Sequence, residues 1–222
     1  ASHNPGEWNG FKLCREQAIP ISGATGIKDI EQIVQAGAYA PAAAARGTVT
    51  TASFNADYVR HIRSFADLQR PIRIAIDCGN GMAAVGLEPL LERLHLEVER
   101  LYFEPDGTFP NHEADPTVLK NMKDLIALVK EKKLDVGIGY DGDGDRIGVV
   151  DENGDIVYGD KLMILFSREI LSRKPGATFI SEVKCSQTLY DDIEKNGGRP
   201  IMWKTGHSLI KKKMKEEGAE LA

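Results

Sequence analysis

The chain has 222 residues, of which 42% are hydrophobic and 27% are charged, and its formal net charge is -5. This composition is typical of a soluble globular protein, and the length allows one or two domains with a sizeable core. The negative charge argues against a nucleic-acid partner, although residues 211–215 contain a local basic run. No apolar run has membrane-spanning length and no signal peptide is apparent, so we expect no membrane partner.

The three cysteines predict a reducing environment. Cys14, Cys78 and Cys185 are odd in number and far apart, which is the pattern of neither a disulfide framework nor a metal site. We therefore expect small buried thiols and a cytoplasmic location. The chain begins at Ala1 and ends shortly after Gly218, where a strand would begin, so we expect a piece of a longer protein.

The first part of the chain is predicted to be a loop, a helix and a linker. Residues 1–12 are rich in turn formers, which exclude a helix there, and Ser2 is the chemically interesting side chain. A lone serine is a poor nucleophile and is usually a cap or solvent-exposed. A helix is predicted over 26–34 and a linker over 41–51.

Alternating elements predict an α/β domain in the next part of the chain. A strand is predicted over 71–77, a glycine turn at 79–81, a helix through Leu94 and a strand over 98–103. The turn could cradle a phosphate, but Gly-Asn-Gly is too short to be specific and a tight turn is the simpler interpretation. A connector over 104–116 precedes a helix predicted over 119–132, whose apolar residues share one face.

Three aspartates follow the next predicted strand. Asp141, Asp143 and Asp145 alternate with glycine, so in an extended segment their carboxylates point to the same side. Oxygen ligands of this kind suit Mg²⁺ or Mn²⁺ better than zinc. Arg146 follows directly and offers a fixed fork of donors to a phosphate or carboxylate beside the metal.

Two other interpretations of this segment compete with the metal site. An EF-hand loop also begins D-x-D-x-D, and Glu152 stands at its twelfth position, but Arg146 occupies the place of the turn glycine. The flanks predict strands rather than helices. A solvated acidic turn is the second alternative, yet three adjacent like charges between buried strands repel one another unless a ligand offsets the repulsion.

The remainder of the chain predicts a second α/β unit. Asn153-Gly154 indicates a hairpin. After it, helices are predicted over 160–173, 188–195 and 208–217, and strands over 177–183 and 200–203. Lys184 and His207 each come just after a strand, where ligand-binding loops belong, although His207 could simply begin a helix.

Two of these segments resemble the α-D-phosphohexomutase superfamily. The stretch A-S-H-N-P at residues 1–5, with Asn9-Gly10 and Lys12 after it, is similar to the active-site loop of that family, and G-Y-D-G-D-G-D-R at 139–146 is similar to its metal loop. Two separate motifs in the right order make the match specific, and it covers essentially the whole chain. The mannose/glucose branch, phosphomannomutase/phosphoglucomutase, is favoured by the Lys-Thr-Gly-His stretch at 204–207.

The resemblance implies a set of site residues. Ser2 would carry a phosphoryl group, and one of its oxygens would hold Mg²⁺ together with Asp141, Asp143 and Asp145. His3 and Lys12 would lie beside it, and Lys12 and Arg146 would stabilise the transferring oxygens. Lys184 and His207 match positions that contact the sugar phosphate.

The fold implied is tandem α/β domains with mixed sheets flanked by helices, truncated at both ends. The division expected is the end of a first domain over 1–46, a second domain over 47–155 and the start of a third over 156–222. The reaction implied is interconversion of hexose 1-phosphate and hexose 6-phosphate, an isomerisation by phosphoryl transfer, with a hexose 1,6-bisphosphate as intermediate and activator. We expect the 222 residues alone to have negligible activity, because groups that position the substrate would be missing.

Three alternatives stay open from the sequence. A phosphoglucosamine mutase shares both loops, and a Mg²⁺-dependent phosphatase would release inorganic phosphate instead of an isomer. A non-catalytic phosphosugar-binding relative would bind the ligand and Mg²⁺ without retaining phosphate on Ser2. The oligomeric state cannot be predicted from these residues.

Overall fold

The computed structural model describes Trp8 and residues 10–222, so Ser2 and His3 lie outside the described residues. The described residues form two compact units. One contains Trp8, Gly10 and Thr51–Tyr158, and the other contains Phe11–Thr50 and Gly159–Ala222. Within these described ranges, no helix combines the length and the apolar character that crossing a bilayer requires.

The elements alternate along the chain as an α/β fold requires. In the described residues the α-helices are α1 (Ile27–Ala36), α2 (Asn55–Arg63), α3 (Ala83–Leu91), α4 (Lys123–Lys132), α5 (Gly159–Arg173), α6 (Gln187–Lys195) and α7 (His207–Glu217). The strands are β1 (Ile72–Asp77), β2 (Leu96–Leu101), β3 (Val136–Tyr140), β4 (Ile147–Asp151), β5 (Ile156–Val157), β6 (Thr178–Glu182) and β7 (Arg199–Trp203).

The first unit contains a five-stranded mixed sheet with the order β2-β1-β3-β4-β5. The strand β1 is parallel to both β2 and β3, whereas β3, β4 and β5 are joined in antiparallel pairs. Val149 pairs with Val157 across the turn at Asn153-Gly154, which confirms the predicted hairpin. The mixed sheet with flanking helices confirms the predicted fold class.

Helices α3 and α4 cover opposite faces of this sheet. Ile74 and Ile76 of β1 pack in a cluster with Ala84 and Leu91 of α3. Ala75, between them, belongs to a different cluster that contains Leu125 and Val129 of α4. Because successive strand residues point to opposite faces, β1 is covered on both sides, which explains the apolar run Ile74-Ala75-Ile76 at its centre.

Three elements in this unit have boundaries that differ from the prediction by two residues or more. Strand β2 begins at Leu96 rather than Val98, because Leu96 pairs with Ile72 at the start of the parallel ladder. Helix α3 ends at Leu91 instead of continuing through Leu94. The helix predicted from Leu119 begins as a 3-10 turn over Leu119–Met122, and regular α-helical geometry starts at Lys123.

The second unit contains a two-stranded parallel sheet with helices packed on it. Strands β6 and β7 pair in register from Thr178 and Arg199 onward, and Leu221 makes a parallel bridge to Phe179 on β6. The core of this unit joins α5, β6 and α6, and Phe179 at its centre is fully buried. The carboxyl ends of β6 and β7 therefore lie side by side, which places the loops that follow them at one edge.

Candidate metal centre

The acidic segment lies in the loop between β3 and β4, at the carboxyl end of β3. The chain passes from β1 through α3 to β2, which lies on one side of β1 in the sheet. It then passes from β2 through α4 to β3, which lies on the other side of β1. The loops after β1 and β3 therefore meet where the connections diverge, which is the usual position of a ligand site in an α/β sheet. The predicted strand, loop, strand arrangement around the aspartates is confirmed.

The three aspartates are close enough to bind one ion. One carboxylate oxygen from each of Asp141, Asp143 and Asp145 lies within 4.8 Å of the others. Asp141 is only 1% exposed, while Asp143 and Asp145 are exposed. The backbone N–H of Arg146 donates to Asp141 Oδ1 at 3.1 Å. Asp141 Oδ2 is buried and accepts no hydrogen bond within the described part of the protein.

Burial makes the metal-free carboxylate of Asp141 costly. Desolvation raises the pKa of Asp141, and the neighbouring negative charges of Asp143 and Asp145 raise it further, against the opposing hydrogen bond from Arg146. A buried charged oxygen that accepts no hydrogen bond loses its hydration, and the charge of Arg146 nearby offsets only part of that loss. A divalent cation would replace that lost interaction, and an all-oxygen donor set suits Mg²⁺. The triad could therefore hold a metal ion.

The backbone of the loop is supported by the turn that follows β1. The N–H of Met82 donates to the carbonyl oxygen of Gly142 at 2.9 Å. A Cβ on Gly81 would lie 2.8 Å from that same oxygen, so only glycine allows the two segments to come this close. Gly144 has a φ of +73°, a left-handed conformation that turns the chain between Asp143 and Asp145.

Arg146 lies at the edge of the acidic cluster. Its Nε is 4.0 Å from Asp141 Oδ2, which is beyond hydrogen-bonding distance, and half of its side chain is exposed. A guanidinium in this position can offer donors to an anion bound beside the metal without leaving the loop. The structure thus brings four of the predicted site residues together.

In the second unit, Lys184 follows β6 and His207 begins α7 after β7. Both side chains are exposed. Glu182 connects the two loops: a hydrogen bond from Thr205, and then one from Lys184, lower the pKa of its carboxyl. Lys184 Nζ lies 3.3 Å from Glu182 Oε1. Lys184 and His207 therefore lie on two loops that both approach the Glu182 carboxylate.

Two further features concern the other predicted residues. Ser2 and His3 lie outside the described residues, and Lys12 is exposed. The contact between His112 and Asp77 was not predicted from the sequence, in which residues 104–116 read only as a connector. The sequence does show a strand that ends in an aspartate and a later loop that contains a histidine. These two residues suggest a contact only once the fold shows that the loop returns to the end of that strand.

Family models match most of this chain. The descriptions are phosphoglucomutase/phosphomannomutase alpha/beta/alpha domain I over residues 1–40, domain II over 56–154 and domain III over 158–222. The chain is 46% identical over its whole length to a phosphomannomutase/phosphoglucomutase of Pseudomonas aeruginosa and 41% identical to a phosphoglucomutase of Neisseria meningitidis. It covers 47% of each, so it spans about half the length of these curated relatives.

Solved structures show the same relationship. A phosphoglucomutase/phosphomannomutase family protein from Burkholderia thailandensis matches 98% of this chain and 46% of its own, with a TM-score of 0.90 and 39% identity. A structure described as a putative phosphomannomutase from Thermus thermophilus matches 98% of this chain and 50% of its own, with a TM-score of 0.79 and 22% identity. At this identity the match supports the fold and nothing further. The three matched domains and the full-length similarity show that the chain belongs to the phosphoglucomutase/phosphomannomutase family.

Proposed function

We propose that the protein is a phosphohexomutase that interconverts the 1-phosphate and 6-phosphate of mannose or glucose. The observation that carries this proposal is the acidic loop, in which Asp141 presents a buried oxygen without a hydrogen-bond partner in the described residues, next to Asp143 and Asp145. Relatives at 41–46% identity carry the names phosphoglucomutase and phosphomannomutase, which supports the choice of reaction. The three-domain division with boundaries near 46 and 155 is part of the same proposal.

The acidic loop would hold Mg²⁺ through Asp141, Asp143 and Asp145, together with a phosphate oxygen on Ser2. When bound, the metal would neutralise phosphoryl charge and stabilise the serine oxygen as a leaving group. The three aspartates carry the negative charge that retains the ion. Asp141, which is buried and held by the Arg146 N–H, fixes the orientation of the cluster.

The phosphoryl group would move between Ser2 and the sugar. In the first step the bond between phosphorus and the Ser2 oxygen would break, a bond would form between phosphorus and the free hydroxyl oxygen of the substrate, and the proton of that hydroxyl would pass to the Ser2 oxygen. The product of this step is a hexose 1,6-bisphosphate, which would also restore an unphosphorylated enzyme to its phosphorylated form. After the bisphosphate reverses its orientation in the site, its other phosphoryl group would return to Ser2.

The remaining predicted residues would stabilise and position the reacting groups. Arg146 and Lys12 would donate to the transferring oxygens, and His3 would lie beside the phosphoserine. Lys184 and His207, at the carboxyl edge of β6 and β7, would bind the sugar phosphate. Of the three free thiols Cys78 is buried as expected, whereas Cys14 is exposed and Cys185 is half-buried; free thiols support a reducing cytoplasm as the proposed location.

The test is the phosphorylation state and turnover of the intact protein and of Ser2→Ala. We expect incubation with hexose 1,6-bisphosphate to add one phosphoryl group by intact mass, and Ser2→Ala to add none and to lose turnover. The control Ser53→Ala, which removes an exposed hydroxyl ahead of α2, should behave as wild type. Coupled assays with mannose, glucose and glucosamine 1-phosphates decide between the branches. Release of inorganic phosphate would indicate a phosphatase, and absence of phosphorylation with retained ligand binding would indicate a non-catalytic relative.

A further inference from the structure

A buried ion pair lies at the carboxyl end of β1, beside the candidate metal centre. Asp77, the last residue of β1, is 2% exposed, and its Oδ1 accepts the backbone N–H of Gly79 at 2.8 Å. Its Oδ2 lies 3.0 Å from His112 Nε2, and the His112 side chain is 14% exposed. The pair thus joins the sheet to the long loop between β2 and α4.

Hydrogen bonding defines the charge of this pair. His112 Nδ1 lies 2.9 Å from the carbonyl oxygen of Glu113, which can only accept, so Nδ1 carries a proton. Nε2 faces the Asp77 carboxylate, and this hydrogen bond raises the pKa of His112 above its ordinary value. When His112 is protonated, both ring nitrogens donate and the contact is an imidazolium with a carboxylate. Removing either partner would leave the other buried without its counterpart, so the pair ties the loop to the end of β1.

The pair holds the turn on which the acidic loop rests. Asp77 fixes Gly79 from one side. From the other side, the Asn80 N–H donates to the Tyr102 carbonyl oxygen at 2.9 Å, and the Asn80 side chain donates to the Glu104 carbonyl oxygen at 2.8 Å. The next residues of this turn are Gly81, which is in close contact with Gly142, and Met82, whose N–H donates to the Gly142 carbonyl oxygen.

A ring contact extends the same support to α4. The His112 ring packs edge-on against the Tyr102 ring, with centroids 5.3 Å apart. The Tyr102 hydroxyl donates to Asp124 Oδ2 at 2.6 Å, and Asp124 lies in the first turn of α4. His112 is consequently fixed by its contact with the Tyr102 ring, by its Nδ1 and by its Nε2, which gives Asp77 Oδ2 one defined partner.

We propose that Asp77 and His112 are positioning residues of the metal centre. They fix the turn at residues 79–82, and this turn fixes the backbone at Gly142, between Asp141 and Asp143. This inference rests on the proposed function, because it takes the acidic loop to be a metal site. Groups that orient metal ligands from outside the ligand shell change metal affinity by about 10-fold to 100-fold when they are replaced. His112→Ala is therefore expected to weaken metal binding by about tenfold or more.

The experiment measures Mn²⁺ dissociation constants and metal-free unfolding of the intact protein. His112→Ala is compared with His112→Gln, whose amide N–H can still donate to Asp77, and with Leu134→Ala. Leu134 is 2% exposed and lies just before the amino end of β3, whereas the turn lies at the carboxyl end of β1. Its replacement therefore destabilises the same unit without changing the turn. We expect weak binding for His112→Ala, recovery for His112→Gln and wild-type affinity for folded Leu134→Ala.

The outcomes separate the two levels of inference. If His112→Ala binds Mn²⁺ as tightly as wild type, or if Leu134→Ala loses as much affinity for the same loss of stability, the positioning role is wrong while the metal centre stands. If the wild-type protein binds no Mn²⁺, the proposed metal centre fails and the positioning role fails with it. Should His112→Ala be unfolded, His112→Phe takes its place, because it keeps a ring against Tyr102 but has no nitrogen to pair with Asp77, and wild-type affinity in His112→Phe would overturn the proposal.

Discussion

Asp141→Asn is expected to have opposite effects on stability with and without metal. In the metal-free protein this substitution removes a buried charge whose Oδ2 accepts no hydrogen bond within the described residues. It also removes repulsion from Asp143 and Asp145, whose oxygens lie within 4.8 Å. In the presence of Mg²⁺ the same substitution removes a ligand, so the stabilisation that comes from binding is lost.

The magnitudes follow from distance and exposure. Two unit charges about 4.8 Å apart repel by about 1 kcal/mol in water, and this limit applies because Asp143 and Asp145 are exposed. The two repulsions together amount to about 2 kcal/mol, and losing the attraction of Arg146 Nε, 4.0 Å from Asp141 Oδ2, costs about 1 kcal/mol, so the metal-free variant should have a free energy of unfolding higher by about 1 kcal/mol. At a Mg²⁺ concentration about 100 times the dissociation constant, wild type gains about 2.7 kcal/mol that the variant lacks. The order of stability should reverse as Mg²⁺ is added.

The assay is urea unfolding at fixed ionic strength, with chelator or with increasing Mg²⁺. Asp155→Asn is the control, since it removes one exposed carboxylate from the neighbouring hairpin turn and should leave the Mg²⁺ response unchanged. A metal-free Asp141→Asn protein that is less stable than wild type would contradict the electrostatic argument. Equal stabilisation of both proteins by Mg²⁺ would show that Asp141 is not a ligand.

Three further predictions concern the packing around the site and the second core. Gly81→Ala should lower the free energy of unfolding by about 1–3 kcal/mol and weaken Mn²⁺ binding, because the added Cβ would lie 2.8 Å from the Gly142 oxygen. Gly107→Ala, which adds a Cβ in open space, should leave Mn²⁺ binding unchanged in the same titration. The hydrogen bond to Asp77 raises the pKa of His112 in the folded protein, so the stability that the pair contributes is complete below the ordinary histidine pKa and is lost as the pH rises through the folded pKa. Melting temperatures measured from about pH 5.5 to about pH 9 should show this loss in wild type and not in His112→Gln. Phe179→Ala should lower the free energy of unfolding of its unit by about 3–5 kcal/mol in denaturant, since the ring is fully buried, and a loss below about 1 kcal/mol would mean that the described core is wrong.

Much of the local structure follows from the sequence because it depends on short-range chemistry. The alternation of Asp141, Asp143 and Asp145 with glycine predicts a shared carboxylate face in an extended segment; the oxygens are found together, but on a turn in which Gly144 is left-handed rather than on extended backbone. Asn153-Gly154 predicts a hairpin, and β4 and β5 pair across it. In both cases the relevant residues are neighbours in the chain, so backbone geometry alone brings them together.

Tertiary structure decided which of these charged groups is buried and what supports it. Nothing in the pattern of the acidic loop distinguishes Asp141 from Asp143, yet of the three aspartates only Asp141 is enclosed, because it lies directly at the end of the covered strand β3. Likewise Asp77 and His112 are 35 positions apart and meet only because the loop after β2 returns over the end of β1. Sequence composition and spacing thus determine the chemistry available to this protein, while the order of strands in the sheet determines which side chains lose water and acquire partners.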